Sequence, residues 1–418
     1  MANLFRSTLS PVDIQSIVFK LYGLKVKVVK ELNSYDDQNF LMVAAQDFPP
    51  PDYLTKFLSP HGYVIKILNS LDSRKPMVIE TQNQIIHHTK KSGYPTPSLV
   101  PCIDGSYQVE LEQQSTIPGP QHKSRHDDDT VKEKNIVRMF SYIPGKTLDQ
   151  VQLTLQLCFE IGWYAAKMDA ILKDFPINKY TVLKEMTRKW NMTEITELGS
   201  KIPVINLNSE QMNLITTVLN QFETNILSCQ DQFSKGLIHS DFNECNILVN
   251  QQDSENPVIA EEFKTFITSL NSFSKDLKLK GDKDGNVKCH ISKGTYHICG
   301  ILDFGDCTHS LYMFEIAIAM TYVMLNQHGV DPMAAACHVL AGYTKQMSLS
   351  DVEVQHLKLC ICARLVQSLV MGYFSFSQDT GNDYILTHAQ RVWPILKRMW
   401  EAQDSEVYHH FKQFVHLL

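Results

Sequence analysis

Apolar positions recur at helical spacing after Ser10, at Ile14, Ile17, Val18 and Leu21. Ser10 as cap, Pro11 in the first turn, Asp13 three residues after the serine and Gly23 beyond the run predict a helix with both ends marked. Two Val-rich strands follow, over 25–32 and 40–45, with a polar turn over 33–38 between them. Pro49, Pro50 and Pro51 mark a loop before a β-branched strand over 63–68. A helix is expected over 76–91, broken by Gly93, Pro95 and Pro97, and then strands near 108–112 and 135–140. From there the periodicity is mostly helical: 155–172, 209–227, and after residue 306 a run of amphipathic helices over 312–327, 332–347, 351–376 and 384–402.

Two places break this regularity. Over 236–250 two short apolar runs, Leu237-Ile238 and Ile247-Leu248-Val249, bracket a polar segment with His239, Asp241, Asn243 and Asn246. That pattern predicts two strands joined by a tight loop that presents side chains. Over 250–297 the first half is polar and charged, and the second alternates around Gly281-Asp282-Lys283-Asp284-Gly285-Asn286, which reads as a surface hairpin. Its glycine falls too early, and no closing Glu follows, for a calcium loop.

Composition narrows the class. Hydrophobic residues make up 44% and charged residues 20%, so a globular core is expected over the 418 residues, in two or three domains of ~150 residues. Net charge is −6 and no basic block is present, so neither nucleic acid nor a membrane surface is expected as partner. The ten cysteines show no framework spacing, and Cys245 is expected to pack rather than react. The N-terminus lacks the pattern of a signal peptide, and the apolar stretch over 311–325 falls short of the ~18 residues that span a bilayer. A cytoplasmic protein is expected.

The chemistry lies in three motifs. Asp241 followed five positions later by Asn246, just after His239, has the spacing H-x-D-x-x-x-x-N. Phosphoryl transfer needs such a pair, an Asp to orient and deprotonate the attacking hydroxyl and an Asn amide oxygen for Mg²⁺. Gly300-Ile301-Leu302-Asp303-Phe304-Gly305-Asp306 delivers Asp303 at a strand end, where a metal-binding carboxylate would stand. Lys66 interrupts the strand over 63–68; an exposed edge-strand lysine is the competing reading, and the order of the three motifs favours a phosphate clamp. Glu80, beside the apolar Ile79 on the following helix, could pair with it, or could be an ordinary solvated glutamate. The 33–38 turn has no glycine, so Ser34 and Asn39 are candidate phosphate donors against a plain hairpin turn. Residues 137–145, which include Met139, read as the stretch whose backbone meets the nucleobase. His126-Asp127-Asp128-Asp129 reads as a solvated turn rather than a metal site.

These residues resemble the aminoglycoside phosphotransferase family of small-molecule kinases. The resemblance rests on His239-x-Asp241 to Asn246, Leu302 to Asp306 and Val64-Ile65-Lys66-Ile67. It extends through Ser34 to Phe40, Ile143-Pro144-Gly145, His338 to Gly342 and Arg364 to Met371, over about 14–400. It implies an α+β, two-lobed protein-kinase-like fold. An antiparallel-sheet lobe with one main helix would occupy 1–140, and a mainly helical lobe 141–418, with 250–297 as an insertion.

The later matches point within the family to phosphorylation of the side-chain hydroxyl of 5-hydroxy-L-lysine, with GTP (or ATP) as donor, Mg²⁺ as cofactor and no protein partner. Asp241 would be the proton acceptor, Asn246 and Asp303 the metal ligands, and Lys66, held by Glu80, the phosphate clamp. Arg364 could meet the substrate carboxylate, and Asp306 or Glu315 an ammonium. Ser240 stands where the family has glycine. Other acceptors of the same kind (choline, homoserine, an aminoglycoside) and a silent pseudokinase used as a binding module remain alternatives.

Overall fold

The computed structural model describes residues 7–34, 36–114, 132–179, 182, 190–251, 256–276, 296–326, 330–378 and 383–416. The His126–Asp129 run, the Gly281–Asn286 hairpin and Tyr35 lie outside them. The chain forms two compact units, one of residues 1–91 and 96–144, the other of 92–95 and 145–418.

The N-terminal unit begins with α1 (Pro11–Tyr22), closed at its start by a reciprocal Ser10–Asp13 capping box and at its end by Gly23 at φ 62°. Strands β1 (Val26–Leu32), β2 (Gln38–Ala44) and β3 (Tyr63–Ile67) follow, then α2 (Pro76–Lys91), β4 (Leu99–Val100), β5 (Val109–Gln114) and β6 (Lys132–Ser141). The sheet order is β1-β2-β3-β6-β4 with β5 also on β6, and each pair is antiparallel.

Period-2 alternation divides its faces. Phe40, Ile65 and Met139 lie in one cross-strand row and join Ile14, Val18 and Tyr22 of α1 in the apolar core. The next row, on the opposite face, is Asn39, Lys66 and Arg138. A one-residue slip of register would exchange these faces, so the hydrophobic alternation itself fixes where Lys66 points.

The C-terminal unit contains β7 (Lys146–Thr147), α3 (Leu155–Lys173), α4 (Ser209–Asn225), β8 (Lys235–Ile238), β9 (Ile247–Asn250), α5 (Pro257–Asp276), β10 (His297–Ile301) and β11 (Thr308–Leu311). Helices α6 (Tyr312–Leu325), α7 (Pro332–Tyr343), α8 (Asp351–Gln378), α9 (Asp383–Glu401) and α10 (Asp404–His416) complete it. The strands on either side of the polar loop enter different small sheets: β8 pairs with β11, and β9 lies between β10 and β7.

The stretch after β9, expected to be polar, contains α5, whose Phe263 and Phe266 rings pack on Phe159 of α3 at 5.3 and 5.6 Å. Helix α8 is long and apolar enough to cross a membrane by length and composition, unlike the shorter stretch noted above. Its most apolar window is 67% buried within the unit, where it packs against α4, α6, α9 and α10.

Helices α3 and α7 approach closely at two glycines. A Cβ on Gly162 would sit 1.8 Å from the Val339 carbonyl oxygen, and one on Gly342 1.9 Å from that of Phe159. Close-packed interiors transmit such a clash into backbone displacement. Gly342→Ala is therefore expected to lower the unfolding free energy by about 1–3 kcal/mol, read from the shift in urea midpoint at constant slope. An unchanged midpoint would contradict the tight crossing.

Candidate active site

In the C-terminal unit the loop between β8 and β9 is fixed from several sides. His239 is fully buried; its Nδ1 accepts the Asp241 N–H at 3.3 Å, which leaves Nε2–H to donate to the Leu302 carbonyl at 2.9 Å. Burial lowers the imidazole's pKa, so the ring is neutral at neutral pH and serves as a brace. Its edge contacts with Phe242 and Phe304, at 5.8 and 5.1 Å, seat the ring. Asn243 Oδ1 accepts from the N–H groups of Cys245 and Asn246 at 2.8 and 3.2 Å, turning the chain back within three residues.

Ser240 adopts φ 68°, a left-handed conformation that costs a non-glycine residue roughly 1–2 kcal/mol. A glycine would take this conformation freely, whereas here a partner holds Ser240 in it. The Ser240 N–H donates to Glu315 Oε2 at 2.7 Å, and Glu315 on α6 is fully buried.

Asp241 is held by both its oxygens. Asn246 Nδ2 donates to Oδ2 at 2.7 Å and to the Asp241 carbonyl at 3.0 Å; Arg364 Nη2 donates to Oδ1 at 3.2 Å. The Arg364 side chain has no exposure at all, while that of Asp241 keeps 19%. Arg364 also donates to the carbonyl of Trp190 (2.9 Å), Gln367 Oε1 (3.0 Å) and the Tyr322 hydroxyl (3.2 Å), and lies over the rings of Trp190 and Tyr322. The guanidinium is thus spent on positioning Asp241, and Glu315 on bracing Ser240. Neither is placed to receive substrate, which corrects both expectations. The signal in the sequence was a lone Arg and a lone Glu within strongly apolar helices, which burial makes costly unless each has a dedicated partner.

Asn246 and Asp303 are brought together through the backbone: Leu302 N–H donates to the Asn246 carbonyl at 2.8 Å. Asp303 is exposed at the end of β10 with φ 58°, and its Oδ1 accepts from Gly305 N–H at 3.1 Å. With the Asn246 amide nitrogen committed to Asp241, its amide oxygen is the atom available to a cation. A neutral amide oxygen and a carboxylate are hard donors that fit Mg²⁺, which keeps water and phosphate oxygens as its other ligands. Among the described residues no group of three or more His, Cys, Asp or Glu forms a metal cage.

In the N-terminal unit Lys66 Nζ lies 3.0 Å from Asp37 Oδ2, with side chains 14% and 11% exposed. Asp37 Oδ1 accepts from the backbone and side-chain nitrogens of Asn69 at 2.9 and 3.1 Å. The lysine therefore has an acidic partner from the β1–β2 turn, which the sequence pattern did not reveal. Glu80 on α2 accepts from Gln84 at 2.7 Å and Asn83 at 3.4 Å, and Asn83 Oδ1 accepts from Arg138 at 3.1 Å.

Asn39 stands opposite Lys66 in register. The Ser34 hydroxyl donates to the Asp37 carbonyl and shapes the turn itself. Met139 is buried in the core, with β3 on one side of its strand and β4 on the other. Its side chain supplies packing there.

No protein-family model matches the chain. It is similar to the hydroxylysine kinase of Xenopus laevis, 29% identical over 96% of this chain and 92% of that one, and to that of Bos taurus, 28% identical over 97% and 93%. The hydroxylysine kinase of Mus musculus is 27% identical over 94% of this chain and 89% of its own length. Among solved structures the fold is shared with an amicoumacin kinase in complex with AMP-PNP, Ca²⁺ and Ami. That match has a TM-score of 0.60 and 13% identity over 96% of this chain and 97% of the other. It is also shared with a microcompartment-associated aminopropanol kinase, with a TM-score of 0.60 and 15% identity over 95% and 98%. The two-lobed α+β kinase-like fold implied by the motifs is the fold of this chain, and the resemblance runs along nearly all of it.

Burial pushes the Glu315 carboxyl up to about 8; the Ser240 N–H opposes this, the Asp241 charge adds to it and the Arg364 guanidinium opposes it. An unfolded glutamate titrates near 4.3, so the folded state holds the proton more tightly and unfolding releases it. Stability is expected to fall as pH rises from about 4 to about 8 and then level off. Glu315→Gln, which keeps an oxygen for Ser240, should make this slope shallower in denaturant titrations across that range. An equally steep slope in the variant would show that Glu315 is not its source.

Proposed function

We propose that this chain is a kinase that transfers the γ-phosphoryl group of a nucleoside triphosphate, GTP by preference, to the side-chain hydroxyl of 5-hydroxy-L-lysine. The observation that carries this reading is Asp241, fixed by Asn246 and Arg364 beside Asp303, in a chain similar from end to end to hydroxylysine kinases. Each Asp241 oxygen accepts one fixed donor and keeps a further lone pair. One of these takes the proton of the acceptor hydroxyl as its oxygen bonds to the γ-phosphorus and the bond to the β–γ bridging oxygen breaks. The nucleoside diphosphate leaves with that oxygen.

Mg²⁺ bound at the Asn246 amide oxygen and the Asp303 carboxylate would neutralise the phosphate charge. We assign Lys66 to the α- and β-phosphates, with Glu80 and Asp37 as the acids that set its position, and Ser34 and Asn39 to the turn that faces the nucleotide. Positioning and electrostatics carry most of the rate in such reactions, so the rigid bracing of Asp241 suits the chemistry.

The test is release of GDP or ADP by the purified chain with Mg²⁺, either donor and 5-hydroxylysine, lysine, choline or homoserine, with the product identified by mass spectrometry. Turnover with hydroxylysine alone is expected. Turnover confined to another acceptor, or to none, would overturn the reading.

Asp241→Asn is expected to lower kcat by at least ~100-fold while nucleotide affinity is retained, because it removes the proton acceptor and spares the metal site. Asp303→Ala should weaken Mg²⁺-dependent nucleotide binding by calorimetry as well as the rate. A variant at Asp303 with unaltered Mg²⁺-dependent affinity would remove it from the ligand set.

A further inference from the structure

We propose that Glu244 and Arg391 hold the two charged ends of the acceptor: Glu244 the ammonium next to the reacting hydroxyl, Arg391 the α-carboxylate. This rests on the phosphoryl-transfer reading and names how the same site chooses its substrate.

Glu244 lies in the loop between Asp241 and Asn246, and its carbonyl accepts the Leu148 N–H at 3.0 Å, which fixes the loop to the helical turn Leu148–Gln150. One of its carboxylate oxygens, Oε2, is fully enclosed and has no hydrogen-bond partner. The Nε of Arg391, on α9, is in the same condition. The charges of Arg391, Asp149 and Asp241 all act on Glu244, yet Glu244 and Arg391 form no ion pair among the described residues. An enclosed polar atom without a partner costs free energy that folding must supply elsewhere, and a ligand that completes it recovers that cost.

Among the described residues, other buried ionic groups of this unit each hold at least one partner, although Arg364 Nε, Glu315 Oε1 and Asp169 Oδ1 are also enclosed without one. Arg364 is spent on Asp241 and Glu315 on Ser240. Glu160 binds His297 and Ile298 N–H, Glu353 binds Ser234 and Ser350, and Lys358 binds Asp404. Glu244, three residues after Asp241, and Arg391 are groups of opposite charge whose enclosed Oε2 and Nε have no hydrogen-bond partner among the described residues.

Their chemistry matches an amino-acid acceptor. In 5-hydroxylysine the hydroxyl and the side-chain ammonium occupy adjacent carbons. A hydroxyl held at Asp241 therefore carries its ammonium into the surroundings of the same loop, three residues along at Glu244. Asp149 and Asp241 add negative potential there, which favours a cation and disfavours an acidic acceptor. The far end of the molecule bears the carboxylate, for which a guanidinium offers a planar, two-pronged partner.

The experiment is steady-state kinetics of the full chain and of E244Q and R391Q with three acceptors. These are 5-hydroxylysine, 5-hydroxynorleucine, which replaces the side-chain ammonium by hydrogen, and 1-amino-2-propanol, which lacks the α-amino-acid end. E244Q is expected to raise KM for 5-hydroxylysine by about tenfold or more and to leave 5-hydroxynorleucine unchanged. R391Q should raise KM for 5-hydroxylysine and leave 1-amino-2-propanol unchanged, and the donor KM should stay constant in both variants.

The wild type itself should prefer 5-hydroxylysine to 5-hydroxynorleucine by a similar factor, which tests the ammonium contact without any substitution. Equal wild-type KM values for those two acceptors, or an E244Q effect of the same size on both, would overturn the Glu244 assignment. An R391Q effect as large on 1-amino-2-propanol as on 5-hydroxylysine would overturn that of Arg391. Turnover with all three acceptors and no change in either variant would defeat the pocket while sparing the reaction. A wild-type chain that phosphorylates none of them would defeat the reaction itself.

Discussion

The buried contact between Arg364 and Asp241 constrains the rest of the C-terminal unit. A guanidinium with no solvent exposure needs fixed acceptors, because an unpaired buried charge is far more costly than a paired one. Meeting that demand recruits the Trp190 carbonyl and the Tyr322 hydroxyl of α6, and Gln367 one turn along α8. Two aromatic rings cover the flat faces of the ion, a placement suited to Arg and lost with Lys. One consequence is geometric: α6 and α8 cannot shift without releasing Asp241. The long apolar character of α8 follows from the same need, since a helix that carries an ion into a dry interior must otherwise be nearly all core.

The loop above this ion is held in a strained form by a second buried network. Ser240 keeps its left-handed backbone through Glu315, and burial together with the Glu315 charge pushes the Asp169 carboxyl of α3 up. Asp169 receives the Tyr343 hydroxyl at 2.6 Å, at the end of α7. Those two helices are the ones that meet at Gly162 and Gly342. The Tyr343–Asp169 hydrogen bond, the charge effect of Glu315 on Asp169 and the Glu315–Ser240 hydrogen bond link the surroundings of the helix crossing to the residue before Asp241. Strain at a functional loop persists only where its surroundings over-determine it, and here the Glu315 contact contributes to that. A stiff Asp241 is useful, because a displacement of about 1 Å at a reacting group can cost roughly 100-fold in rate.

What was legible in the sequence divides along the range of the interactions involved. Local signals placed α1 through its capping box and Gly23, and α2 at the bounds it has, between the Pro76 start and the glycine break. The three motifs fell on a strand, a loop and a strand end as read. Helix α5 was obscured because Val258, Ile259, Phe263, Phe266 and Ile267 are separated by Glu and Lys, and the surrounding segment is polar enough to mask their period. Partner choice was the least legible property. Lys66 has an acidic neighbour at Asp37, twenty-nine positions earlier, and Arg364 has one at Asp241 across the unit. Both contacts depend on tertiary packing, to which spacing along the chain gives no guide.

That difference also explains why the reaction was easier to read than the acceptor. Phosphoryl transfer places a few strict demands on the loop, a proton acceptor and a metal amide five residues apart, and these appear as letters at fixed spacing. The intervening positions are free of that demand and lie next to Asp241 in the chain. In this chain the intervening residues are Phe242, Asn243, Glu244 and Cys245. Phe242 is buried against His239, Asn243 is consumed in closing the turn, and the Cys245 thiol is held neutral by its surroundings. Glu244 is the one acidic residue among them, and its Oε2 is enclosed without a hydrogen-bond partner. Specificity on this fold then depends on which side chains the bracing of Asp241 leaves available, a property visible only in the folded chain.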